Sequence, residues 1–159
     1  MASEETSATD ARTNAKAEPL AFEVECHADY QRLRAALASL PKIPMLVNEK
    51  NVPEVKAAGR SYRWFLKSEE SGGSIAIHII AMEPGFSARP HHHSNEEEFF
   101  YILDGQIKIT VGNRTEIAGP GTFAYIPPFA THAFTALGDR PCRALHWNAP
   151  GGHERLAAA

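Results

Sequence analysis

Cysteine is scarce in this sequence: Cys26 and Cys142 stand alone in 159 residues, far apart and in no C-x-x-C pair. That spacing excludes a disulfide scaffold and a cysteine zinc or redox motif, and leaves reduced thiols of a cytoplasmic protein as the expectation. Long apolar runs are missing as well, none approaching the roughly 18 residues that would cross a bilayer, so no membrane span is expected. Clustered basic residues are absent and the formal charge is −3, which argues against a surface that tracks phosphates, so nucleic acid is not an expected partner. The first residues, MASEETSATDARTNAKAEP, lack the basic start and apolar core of a secretory signal.

What is present fits one globular core. The length, with 43% hydrophobic and 22% charged residues, is that of a single domain. Residues 1–19 are polar and acidic and read as a disordered tail, and residues 20–159 as one domain. Tyr30, Leu33, Ala36, Leu37 and Leu40 recur at helical spacing, Asp29 can cap and Pro41 stops the pattern, which predicts an amphipathic helix over His27 to Leu40 lying on the outside of the core. Pro41 to Arg60 holds three prolines and reads as irregular connection, with an edge strand near Met45 to Val47.

From Ser61 the pattern changes. The runs SYRWFLK, SGGSIAIHIIAM, EEFFYIL, QIKITV, RTEIA, TFAYI, HAFTAL and CRALHW are rich in β-branched and aromatic residues, and Pro-Gly, Asp-Gly, Gly-Asn, Gly-Pro-Gly and Gly-Asp punctuate them. Eight short strands at this spacing predict an all-β fold, a small antiparallel β-barrel or jelly roll. The tail PGGHERLAAA reads as a turn and a short C-terminal helix from about Gly152.

Residues two apart on a strand share a face, so His91 and His93 project into one cavity while His92 points away. Glu96, Glu97 and Glu98 open the next strand, and counting back from the Asp104-Gly105 turn singles out Glu98. His132 follows the Pro127-Pro128 corner. Three imidazoles and a carboxylate suit one divalent transition metal, Fe, Mn, Ni, Cu, Co or Zn, and poorly suit Ca or Mg. On the same strand faces, Phe100, Ile102 and Phe134 read either as an apolar, aromatic substrate pocket or as plain barrel core, and His78 and His146 either as pocket or hydrogen-bonding groups or as satisfied buried or rim histidines. His92, His27 and His153 belong on the surface.

The run Gly85, His91, His93, Glu98, Gly105 resembles the first motif of the cupin superfamily, and Gly121, Pro127, His132 resembles the second. Phe129 stands where that motif usually has Gly, and Ala136 where it usually has Asn. The resemblance covers about Ser61 to Leu156. SEESGG before the barrel and NAPGGHERL after it are similar to the single-domain, quercetin dioxygenase-like branch. That likeness implies His91, His93, Glu98 and His132 as metal ligands, Glu98 as catalytic base, and a homodimer. It also implies a dioxygenase acting with dioxygen on a flavonol-like or other enolisable, phenolic small molecule. A non-redox isomerase, lyase or cyclase is the alternative that the same ligand set allows, and a non-catalytic small-molecule-binding protein the third.

Overall fold

All eight runs read as strands carry one, since their β-branched and aromatic residues fit a pleated, half-buried surface. The computed structural model describes residues 22–23, 32, 35–40, 42–152 and 154. In chain order the strands are β1 (Phe22–Glu23), β2 (Val55–Ala57), β3 (Arg60–Leu66), β4 (Ala76–Met82), β5 (Ser87–His92), β6 (Glu97–Asp104), β7 (Gln106–Val111), β8 (Arg114–Ala118), β9 (Phe123–Ile126), β10 (His132–Leu137) and β11 (Cys142–Ala149). A 3-10 turn, Glu49–Asn51, and a one-turn helix, α1 (Ser68–Ser71), complete them. They form two sheets, one ordered β1-β5-β10-β7-β8 and the other β2-β3-β4-β11-β6-β9, antiparallel throughout except where β1 meets β5. The expected all-β jelly roll is what the chain adopts.

Every second residue of β10 and β11 is buried, so the inner faces of both sheets can be read as transverse rows. In the first sheet His91, His132, Val111 and Arg114 make one row, and Ala88, Phe134, Ile109 and Glu116 the next. In the second sheet Ala76, Asn148, Glu98 and Ile126 make one row, and Trp64, His78, His146, Phe100 and Ala124 the next. Beyond these rows Ile80, Ala144, Ile102, Ile107 and Ala136 belong to the hydrophobic core. One end of the sandwich is thus apolar and the other carries imidazoles and carboxylates.

Two glycines show why those positions lack a side chain. A Cβ on Gly105, at φ +74, would sit 2.7 Å from Cys142 Cα, so only glycine lets the β6–β7 turn lie against β11. A Cβ on Gly73 would sit 2.9 Å from Leu37 Cβ. Nearby, the Gly151 amide donates to Gly73 O at 3.1 Å, and the buried Glu154 carboxylate accepts from the amides of Ser68 (2.8 Å) and Gly152 (3.1 Å). SEESGG and PGGHE are therefore two halves of one clasp that ties the chain's end to α1.

The structure corrects one expectation and leaves others beyond its reach. Residues 45–47 are exposed and join no sheet, and the pairing strand is β2, because Val55 to Ala57 lies directly antiparallel to Arg60 to Tyr62. Of the helix expected over 27–40, residues 35–38 are helical with Leu37 buried, and most of the rest lies outside the described residues. The tail 1–19, Cys26, His27, His153 and most of the C-terminal helix also lie outside them.

Candidate metal centre

His91 and His132 face each other across the β5–β10 ladder, and a register shift brings them together. Two residues, Arg89 and Pro90, stand between Ala88 and His91 where one, Ala133, stands between Phe134 and His132, so β5 carries a bulge at Arg89-Pro90. Pro90 has no N–H to give to a ladder, which favours the bulge there. The extra residue resets the strand's parity and turns His91 inward. β5 ends at His92, and His93 lies just beyond it, held by its carbonyl accepting from the Phe129 amide at 2.8 Å.

Each imidazole has its Nδ1 set against an oxygen. His91 Nδ1 donates to Arg89 O at 2.7 Å and His132 Nδ1 to Ala130 O at 3.0 Å, while His93 Nδ1 lies 3.5 Å from Glu96 Oε1. These contacts fix the tautomers and aim the Nε2 lone pairs at one point, the arrangement that metal-binding histidines use. From the opposite sheet Glu98 Oε2 reaches within 2.8 Å of His132 Nε2 and 3.3 Å of His93 Nε2. The ligand atoms of His91, His93, Glu98 and His132 all lie within 4.8 Å of one another.

The donor set tests whether a metal fits. His132 has acceptor oxygens on both sides, Ala130 O at Nδ1 and Glu98 Oε2 at Nε2, so something positive must stand between Nε2 and Oε2. A divalent ion would be held by His91, His93, Glu98 and His132 together and would supply that positive charge to all four. Nitrogen-rich donors with one carboxylate oxygen select a first-row transition metal over Ca or Mg. The residues fit the group.

Burial opposes the charge on Glu98, yet the imidazoles of His132, His146 and His93 set against its oxygens outweigh it and hold the carboxyl well below its usual range. Burial, aided by the neighbouring His132, pushes His91 down to about 4, so its ring is neutral and ready to ligate at neutral pH.

His146 and His78 form a buried relay behind the cluster. His146 Nε2 donates to Glu98 Oε1 at 2.6 Å, and His146 Nδ1 lies 3.0 Å from His78 Nε2, whose ring packs 4.0 Å from that of Trp64. Phe100 stacks 4.3 Å from His146 and 5.4 Å from Phe134, with Ile102 one row deeper in the core. The candidate pocket residues thus occupy the barrel interior behind the ligands. His92 is half-buried, its ring 6.1 Å from Phe129.

Sequence reasoning missed Glu96 and Asn148. Glu96 is 1% exposed, accepts from Asn148 Nδ2 at 3.0 Å and backs His93. The signal was there in the spacing of two between Glu96 and Glu98, and between His146 and Asn148 on the inner face of β11.

Residues 78–148 match the family model described as the cupin domain. Mannose-1-phosphate guanylyltransferase RfbM of Salmonella typhimurium is 30% identical over 78 residues, which are 48% of this chain and 16% of that protein. The match thus spans a small part of that relative. Polyketide synthase CurC of Streptomyces cyaneus is 25% identical over 108 residues, 67% of this chain and 70% of the relative. The solved polyketide cyclase RemF from Streptomyces resistomycificus superimposes with a TM-score of 0.58 at 24% identity, covering 67% of this chain and 80% of its own, a likeness of fold. Among the described residues no helix is long and apolar enough to cross a membrane. With the four residues of both motifs brought to one point inside a two-sheet jelly roll, residues 78–148 are similar to the cupin domain in sequence pattern and the chain is similar to cupins in fold.

Proposed function

We propose that this chain is a metal-dependent enzyme whose substrate is a flat, enolisable or phenolic small molecule of polyketide type. The observation that carries it is the cluster of three imidazoles and one carboxylate at the polar end of an apolar barrel. A divalent ion held by His91, His93, Glu98 and His132 supplies the positive charge that stabilises a deprotonated substrate hydroxyl or enol. Phe100 and Phe134 exclude water behind the site and offer aromatic surface to a flat ring. Glu98 is proposed as ligand and as catalytic base.

Two reactions start from such an anion. Non-redox ring closure or isomerisation is the first reading, supported by the polyketide chemistry in the names of CurC and RemF. Cleavage by dioxygen is the second, supported by the clasp between Gly73, Gly151 and Glu154, the feature in which the chain resembles the quercetin dioxygenase-like branch. Elemental analysis of the isolated protein, followed by a screen of flavonols and aromatic poly-β-ketones with and without oxygen, tests both. Anaerobic conversion supports the first reading, and oxygen uptake matched to substrate loss the second. A protein that holds no transition metal, or that binds such compounds without converting them, overturns the enzyme assignment. The homodimer is likewise a proposal, tested by sedimentation velocity.

A further inference from the structure

The first-sheet row that begins with His91 and His132 ends, two strands away, at Arg114 on the sheet's edge. Residues directly opposite in an antiparallel ladder share a face, so Arg114 points to the same side of the sheet as the two imidazoles, with Val111 between them. At about 4.8 Å per strand, the β8 backbone stands roughly 10 Å from that of β10, within reach of a small molecule touching both. Between the β8 and β9 edges lies a cleft of about 390 Å³, lined by Val111, Ile109, Phe123 and Tyr125 with Arg114 and Glu116.

Ile109 and Val111 give the cleft an apolar floor, the β9 edge from Thr122 to Tyr125 forms its far wall with the aromatic rings of Phe123 and Tyr125 turned to the outer face against Phe99, and its charged groups stand on β8. There Arg114 donates through Nε (2.8 Å) and Nη2 (2.5 Å) to a single oxygen, Glu116 Oε1. Both side chains are more than half exposed, so this pair is weakly held and easily exchanged for another carboxylate. Charges pointing inward on an edge strand also discourage edge-to-edge pairing. That role needs neither a cleft beside them nor a place on the row of the metal centre.

We propose that this cleft is a substrate subsite that binds the distal acidic group of a flat aromatic molecule, with Arg114 as the recognising cation and Glu116 as its resting partner. The molecule's hydroxyl end would point along the row toward His132, and its rings would lie against Ile109, Val111 and Ala124. A guanidinium offers paired N–H donors to a carboxylate, which is the chemistry that selects an acid over its neutral analogue. The orientation rests on the metal-dependent reading above; the Arg114 contact does not.

The test is calorimetric titration of para-coumarate, a phenol with a carboxylate at its far end, and of its methyl ester, into the Zn²⁺-loaded and the metal-free chain. Arg114→Gln is expected to weaken para-coumarate about tenfold while leaving the ester unchanged. Glu116→Gln, which releases the guanidinium, is expected to tighten the acid and not the ester. Equal changes for acid and ester, no change for the acid in either variant, or no binding of para-coumarate overturns the subsite. Binding that responds to Arg114 but is indifferent to Zn²⁺ keeps the subsite and overturns the metal-dependent reading.

Discussion

His146 Nε2 lies 2.6 Å from Glu98 Oε1, so one oxygen of the carboxylate is held by a group outside the four-ligand set and the other is left for the ion. His78 in turn holds His146 at 3.0 Å, which orients the ring. Partners of this kind typically contribute 10–100-fold to metal affinity. His146→Ala should weaken Zn²⁺ by about that factor, and His146→Gln, which keeps an N–H, should recover part of the loss. Competition against a chromophoric chelator measures it, and unchanged affinity in His146→Ala would show that the contact is packing alone.

Glu98→Gln and His91→Ala separate base from ligand. His91 offers only a ligand nitrogen, so His91→Ala should lose metal and turnover together. Glu98→Gln keeps an oxygen donor and should lose turnover by more than it loses metal. Metal content and rate measured on the same samples decide it, and comparable losses of metal in the two variants count against the base.

The metal-free protein should lose stability as pH falls from about 6.5 toward 4. His91 is depressed to about 4 in the fold and titrates near 6.5 when unfolded, so between those values the unfolded chain binds the extra proton and folding is disfavoured. Glu98 acts in the same direction at lower pH, where protonation removes the attraction between its carboxylate and the imidazoles of His132, His146 and His93. Thermal melts of chelator-treated protein across this range check the sign. A flat profile would remove the burial of His91 as its cause.

Glu96→Ala should cost about 1–3 kcal/mol, because Asn148 Nδ2 loses its acceptor in a fully buried position and His93 loses its backing carboxylate. Chemical denaturation of the metal-free protein measures it. A loss below about 0.5 kcal/mol would mean that water replaces the carboxylate.

Phe129→Gly should stabilise the fold by about 1 kcal/mol. Phe129 sits at φ +64 with its ring more than half exposed, so it bears the cost of a left-handed backbone with little burial to offset it. A lower melting temperature in the variant would show that the contact with His92 outweighs the strain.

How far the site was legible follows strand by strand. The H-x-H spacing and the distance from Glu98 to Gly105 name three ligands, because a strand's period of two leaves few residues able to face inward. The spacing of two from Glu98 hints at a shared face for Glu96, but its burial is decided by Asn148, 52 positions away. Met45 to Val47 misled for the opposite reason: an apolar, β-prone segment forms a strand only where an edge is free to take it, and Val55 to Ala57 holds that edge.

The sequence alone determined the all-β class, the turn positions and the four residues that meet at one point, since alternation, glycine and proline act over a few residues. Only the tertiary structure decided what surrounds them: the bulge at Arg89-Pro90 that aims His91, the relay from His78 through His146 to Glu98, and the row that places Arg114 in line with His132. Each depends on register between strands remote in sequence, which is set by how two whole sheets pack and by no single segment.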